Sequence, residues 1–333
     1  MCFISHGGNC GEIYTRNSQT VTCSTQTCSN GVWAYGAEIF QDRVWGIEEY
    51  MTNKQAEILE RARALLAEMN VGHQVPTMRI NTQFAKYKTL PVTASKIGGV
   101  PYLPKGQDGP VDVNGEPLHM IAQINCADLP PNSIYPAEGL LQFWISPTET
   151  DTEDYTSSRY DRVIYYPKLG KANRKAHKLV ITEDNGFIWP LLGGEYALSF
   201  EPENLEPGLK LKQYSTGQLF TRLWNERYPQ EQIESPWDLD ELAGIEGDDL
   251  ASTFYEDLDH HQLGGVPEYI DWDPRDDNEE WKDYTINLLT LVSADDDTIT
   301  IMWGDAGVAN WLITPEQLKN LDFSKVFYSW DSC

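Results

Sequence analysis

The run Trp303-Gly304-Asp305-Ala306-Gly307 has the composition of a reactive turn. An acid set between two glycines, just after an apolar strand, presents a carboxylate that can act as a base or a metal ligand. The competing reading is architectural, with Asp305 accepting backbone N–H groups and the glycines supplying unusual dihedrals. Gln123 poses the same choice. It lies in the apolar run Leu118–Asn125, where a buried amide must be hydrogen-bonded. It either holds a neighbouring loop or orients a substrate. Asp273-Pro274-Arg275 reads as an internal ion pair or turn, or as an arginine offered to a partner. His260 and His261 sit beside Glu256, Asp257 and Asp259, which are metal-ligating types. Adjacent histidines point in different directions on any regular element, so no metal is assigned there. His119 reads as a core histidine.

Established signatures of chemistry are missing. The chain has no Walker loop, G-x-G-x-x-G, G-x-S-x-G, H-E-x-x-H or EF-hand spacing. Asp295-Asp296-Asp297 lacks the alternation and glycine of a calcium loop. Cys2, Cys10, Cys23 and Cys28 cluster near His6, but only Cys23 and Cys28 have a spacing that suits a zinc pair. No cofactor, metal or catalytic residue is expected, and the balance is against an enzyme.

The elements that would position these residues recur. Ile97-Gly98-Gly99-Val100-Pro101 returns as Leu263-Gly264-Gly265-Val266-Pro267, and Gly139–Pro147 returns as Gly307–Pro315. Between them, Met120–Ile124 aligns with Ile286–Thr290. Three blocks in one order at almost one offset indicate an internal duplication, with halves at about 75–205 and 206–333. The two acidic turns, Pro136-Ala137-Glu138-Gly139 and the one around Asp305, fall at matching places, which favours architecture over catalysis. Residues 76–125, 140–146, 162–166, 178–182 and 195–200 have strand patterning, as do 284–292, 298–303, 309–313 and 326–328. Helical spacing runs from Thr52 or Asn53 to Asn70, from Thr216 to Tyr228 and from Asp238 to Leu258. Thr314 and Pro315 open a short helix. The expected fold is α+β: two duplicated, largely antiparallel β halves, with intervening helices, packed as one pseudo-symmetric body.

Composition bounds the function. With 41% hydrophobic residues, 11 Trp and 17 Tyr, the 333-residue chain has material for a full core. No membrane-span pattern or secretory leader is seen, so a cytoplasmic protein is expected. Net charge is −26, and residues 231–283 hold 19 acids against Arg275 and Lys282 alone. Such a field repels nucleic acid and anionic membrane and attracts basic proteins. Residues 1–50 read as an extension outside the native product, with translation expected to start at Met51.

Gly98-Gly99-Val100-Pro101-Tyr102-Leu103-Pro104, Ala122-Gln123-Ile124-Asn125 and Gly139-Leu140-Leu141-Gln142-Phe143 carry a resemblance. So do the second glycine block, Asp273-Pro274-Arg275, Trp303–Gly307 and Asp322-Phe323-Ser324-Lys325-Val326. Over residues 51–333 the chain resembles the YwqG-like family, a bacterial domain of unknown function. The resemblance implies an intracellular α+β domain without established catalysis, and family context suggests immunity proteins of toxin systems. Residues 1–50 fall outside it. Cys126 and Cys333 depart from its usual pattern.

The expected function is therefore a non-enzymatic acidic module that binds a protein, plausibly neutralising a basic toxin. Trp237, Tyr255, Tyr269, Trp272 and Trp281, interleaved with acids, would be its anchors. The alternative is a small-molecule-binding protein or hydrolase working in a cleft between the halves, with Asp305, Gln123 and Arg275 as its residues. Trp303, Asp273, Trp272 and Trp281 complete the candidate binding set.

Overall fold

Strand patterning dominates the computed structural model. It describes residues 53–70, 76–146, 155–173, 188–190, 194–203, 214–245, 258, 260–270, 273–295 and 300–332. The strands are β1 (Thr77–Lys86), β2 (Lys96–Gly98), β3 (His119–Asn125), β4 (Leu140–Ile145), β5 (Asp161–Tyr166), β6 (Ile188–Pro190) and β7 (Gly194–Glu203). They continue with β8 (Gln262–Gly264), β9 (Ile286–Val292), β10 (Ala294–Asp295), β11 (Thr300–Trp303), β12 (Val308–Ile313) and β13 (Phe327–Asp331). Ten form one sheet in the order β13-β12-β9-β8-β1-β7-β2-β3-β4-β5; β10, β11 and β6 form a second. Every strand pairing among the described residues is antiparallel.

Read from either edge, the large sheet is the same object. β5-β4-β3-β2-β7 matches β13-β12-β9-β8-β1, and the two series join where β1 pairs with β7 over ten residue pairs, from Thr77↔Glu203 to Lys86↔Gly194. Gln123 stands opposite Lys96 and Gln142; Thr290 stands opposite Gln262 and Asn310. Each half also has its bulge at the same place, at Ile121 in β3 and at Leu288 in β9. Gln123 therefore corresponds to Thr290, one residue away from the alignment read off the sequence. An apolar run looks alike in either register, so the one-residue offset is not visible in the sequence. β1, early in the chain, lies beside β8 of the later series.

Alternation sets the layers. Ile97, Ala122, Ile124, Leu141 and Phe143 point into the main core with Leu289, Leu291, Ala309, Trp311 and Ile313. Phe143 meets Trp311 at 5.5 Å, and the Tyr135 hydroxyl donates to Leu288 O. The interior between the series is thus filled by side chains from both. The sheet curls until its edges meet: Tyr328 N donates to Tyr155 O at 2.9 Å, and Tyr165 packs on Phe323 at 5.5 Å.

The α+β expectation is overturned. The fold is mainly β, a nearly closed ten-stranded sheet with few helices. α1 (Asn53–Asn70), α2 (Tyr214–Arg227) and α3 (Asp238–Ala243) gather into their own cluster through Ile58, Leu65, Phe220, Trp224 and Leu239, instead of lying between the halves. Of the helical spacing over 238–258, α3 forms and ends where Gly244 adopts φ 72° and caps it; residues 246–257, and the expected strand 178–182, lie outside the described residues. α4 (Pro315–Lys319) forms with the expected Thr314 cap. Among the described residues no helix is long and apolar enough to cross a membrane.

Asp161 lies buried at the seam, and its Oδ2 has no hydrogen-bond partner. Burial pushes its carboxyl up to about 7, with Arg162 opposing the shift; Tyr328 is raised by burial and by Asp161 itself. A carboxyl raised in the folded state penalises folding as pH climbs from its ordinary value toward 7, and by a constant amount above. Asp161→Asn should therefore raise Tm by a few degrees at pH 8 and leave it unchanged near pH 4. Thermal melts across that range read the difference.

Candidate functional site

The face of the sheet opposite the core carries a buried polar row. In the first series it is Lys96, Gln123 and Gln142, all fully buried; in the second it is Gln262, Thr290 and Asn310, also fully buried. Loops running across this face bring backbone groups that water cannot reach, and these must find partners. Tyr102 N donates to Gln123 Oε1 at 2.9 Å, and Gln142 Nε2 donates to Tyr102 O at 2.7 Å. In the second series Glu268 N donates to Asn310 Oδ1 at 3.3 Å, and Asn310 Nδ2 donates to Glu268 O at 2.5 Å. Tyr102 and Glu268 are the residues following the two Gly-Gly-Val-Pro turns. One side-chain clamp thus serves both loops. Asn287 Nδ2 and Gln262 Nε2 add bonds to Gly264 O and Val266 O.

Gln123 is consumed by this role. Its Nε2 donates to Val92 O at 3.0 Å and Ala94 O at 2.8 Å, while its Oε1 accepts from Tyr102 N and from Gln142 Nε2 at 2.8 Å. The other candidates scatter. Arg275 Nε donates to Asp273 Oδ1 at 2.9 Å and its Nη1 to Tyr284 O at 2.8 Å; Asp273 is buried and caps the short turn at Pro274. The internal ion pair is the reading that holds. Trp303 is fully buried against Trp311. Asp305 is exposed, and its turn is closed by Gly307 N to Trp303 O at 2.8 Å, not by the carboxylate. Trp281 is half-buried on Tyr155 and Phe327. Trp272 lies outside the described residues.

One feature escaped the sequence reading. It is charge in the polar row. Lys96 Nζ donates to Pro91 O at 3.2 Å, and Glu195 Oε1 accepts from Thr89 N at 2.8 Å and Leu90 N at 2.6 Å. Both side chains are fully buried under the loop 88–94, and Glu195 Oε2 has no hydrogen-bond partner. Burial brings the Lys96 amine down to about 8, with Glu195 partly offsetting it. A Cβ on Gly99 (φ 70°) would collide with Glu195, so the glycine makes room for the acid. The matching positions hold neutral Gln262 and Thr77. Lys96 directly before Ile97-Gly98-Gly99, where its sister is glutamine, was the available signal.

Of the expected aromatic anchors, Trp237 is the exposed one among the described residues. It is 42% exposed at the start of α3, with exposed Glu234 and Glu241 three and four residues to either side and half-buried Asp238 adjacent. Asp238 holds the bend by accepting from Glu234 N at 2.7 Å and Ser235 N at 3.0 Å. Below it, Arg61 pairs with Glu231 at 2.5 Å, and Trp224 Nε1 donates to Glu231 O. An indole presented on such a support, among carboxylates, suits a lysine or arginine. Of the other expected anchors, Tyr269 is buried and Tyr255 lies outside the described residues. Among the described residues no three His, Cys, Asp or Glu are grouped to hold a metal ion.

A family model for a domain of unknown function, DUF1963, matches residues 95–333. No curated protein matches the chain.

Gln142→Leu strands Tyr102 O and the Trp144 indole N–H, which donates to Gln142 at 3.1 Å. It should cost about 2–4 kcal/mol in urea unfolding, whereas Asp305→Ala should stay within about 0.5 kcal/mol.

Proposed function

The chain belongs to the DUF1963 family, a domain of unknown function, and from that premise we propose that it is a non-enzymatic module that captures a basic protein. The observation that carries this reading is Trp237, exposed, with Glu234, Asp238 and Glu241 near it in sequence, two of them exposed. Indole and carboxylates together suit a guanidinium or ammonium, and aromatic anchors of this kind hold most of the energy of an interface. A net charge of −26 would steer a cationic partner toward the surface. Gln123 and Arg275, which a catalytic reading would use, are engaged in internal hydrogen bonds. The finer form of the proposal is a YwqG-like immunity or inhibitor protein that neutralises a basic toxin in the cytoplasm. The two matching strand series support its origin by duplication.

Tagged protein in extracts of the native host, read by mass spectrometry, tests the reading. One stoichiometric basic protein is expected at low salt, weakened at high salt and lost with Trp237→Ala or Glu234→Gln/Glu241→Gln. Equal capture by these variants would move the interface elsewhere.

A further inference from the structure

After β5 the chain continues as Pro167-Lys168-Leu169-Gly170-Lys171-Ala172-Asn173, folding back across Leu103-Pro104-Lys105-Gly106-Gln107. Lys105 N donates to Lys171 O at 2.8 Å, and Asn173 N to Leu103 O at 2.7 Å, around the bridge Pro104↔Ala172. Lys105 and Lys171 therefore stand directly opposite one another. Like charges in that position repel and weaken the pairing. Neither segment contains an acid, although acids outnumber basic residues 51 to 25 over the chain.

The arrangement is held in place despite this repulsion. Gly170 N donates to the Tyr102 hydroxyl at 2.8 Å, Asn173 Nδ2 donates to Gln107 O at 2.7 Å, and Tyr102 is itself clamped by Gln123 and Gln142. Lys105, Lys168 and Lys171 are exposed, and Leu169 between them is 40% exposed. Two paired ammonium groups and an apolar side chain are thus presented to solvent on a fixed backbone.

We infer that this loop pair is a docking surface for an acidic protein segment, with Lys105 and Lys171 meeting carboxylates and Leu169 meeting an apolar residue between them. An anionic partner removes the repulsion between the two lysines, which is the complementarity that selects it. A short acidic segment is favoured over nucleic acid because screening confines charge effects to roughly 8 Å at physiological salt, while a long polyanion would run onto the acidic remainder of the surface. The inference does not depend on the Trp237 surface, which has the opposite charge.

The test is fluorescence anisotropy of the full chain with a labelled peptide alternating Glu and Leu, a Lys and Leu peptide of equal length and labelled oligo-dT. Size-exclusion chromatography with light scattering runs alongside. Binding of the Glu and Leu peptide at low salt is expected, weakened roughly tenfold or more by Lys105→Gln/Lys171→Gln and less by Leu169→Ser. Both variants alter exposed side chains and should melt like the parent chain. Absence of binding to the acidic peptide, or equal binding by the double variant, would overturn the assignment. Tighter binding of oligo-dT through the same lysines would replace the partner class with nucleic acid. Salt-sensitive dimers lost in the double variant would make the occupant a second copy.

Discussion

Satisfying the backbone of the two loops that cross the outer face of the sheet is the constraint on which the rest depends. The strands have already paired their own N–H and C=O groups, so the loops must be met by side chains. Gln142 and Asn310 do this from β4 and β12, at matching positions, each bonding the residue after a Gly-Gly-Val-Pro turn. An apolar residue there would leave buried polar groups unpaired, at about 1–3 kcal/mol each. The same arrangement accounts for the glycines. Gly98, Gly99, Gly264 and Gly265 all have φ near 70°, and a Cβ on Gly265 would press on Thr77 and Gln262.

Because the clamp appears twice, each half serves as the other's control. Gln262 and Thr77 fill their places as neutral groups, where the first series has Lys96 and Glu195. The neutral version closes its loop without charge, so the charged one is not required by the architecture. Among the described residues, the lysine-bearing loop after β5 and the exposed Trp237 on the helical cluster also have no matching counterpart. All three departures lie away from the filled interior between the halves, where Phe143 meets Trp311.

Much of the strand pattern was legible because alternation survives in β3, β4, β9 and β12, and the repeated glycine blocks marked the turns. The fold class was not. Residues 238–258 have helical spacing, but Gly244 ends the helix after Ala243, and nothing in the periodicity of α1 and α2 says that they pack on each other rather than between the sheets. The candidate residues were drawn from types that do chemistry, and most proved to be fastenings: Gln123 by four hydrogen bonds, Arg275 by Asp273 and Tyr284 O. Exposure is what separates Trp237 from Trp303, and sequence does not report exposure for isolated aromatics. Lys96 was the readable clue left unused.

Amide hydrogen exchange at Tyr102 and Glu268 tests the clamp most directly. Neither residue lies in a strand or helix, yet each N–H is donated to a buried side-chain carbonyl. Both should exchange as slowly as the core strands around them, and Tyr102 should speed up in Gln123→Leu. Exchange as fast as at exposed Gly106 would contradict the account.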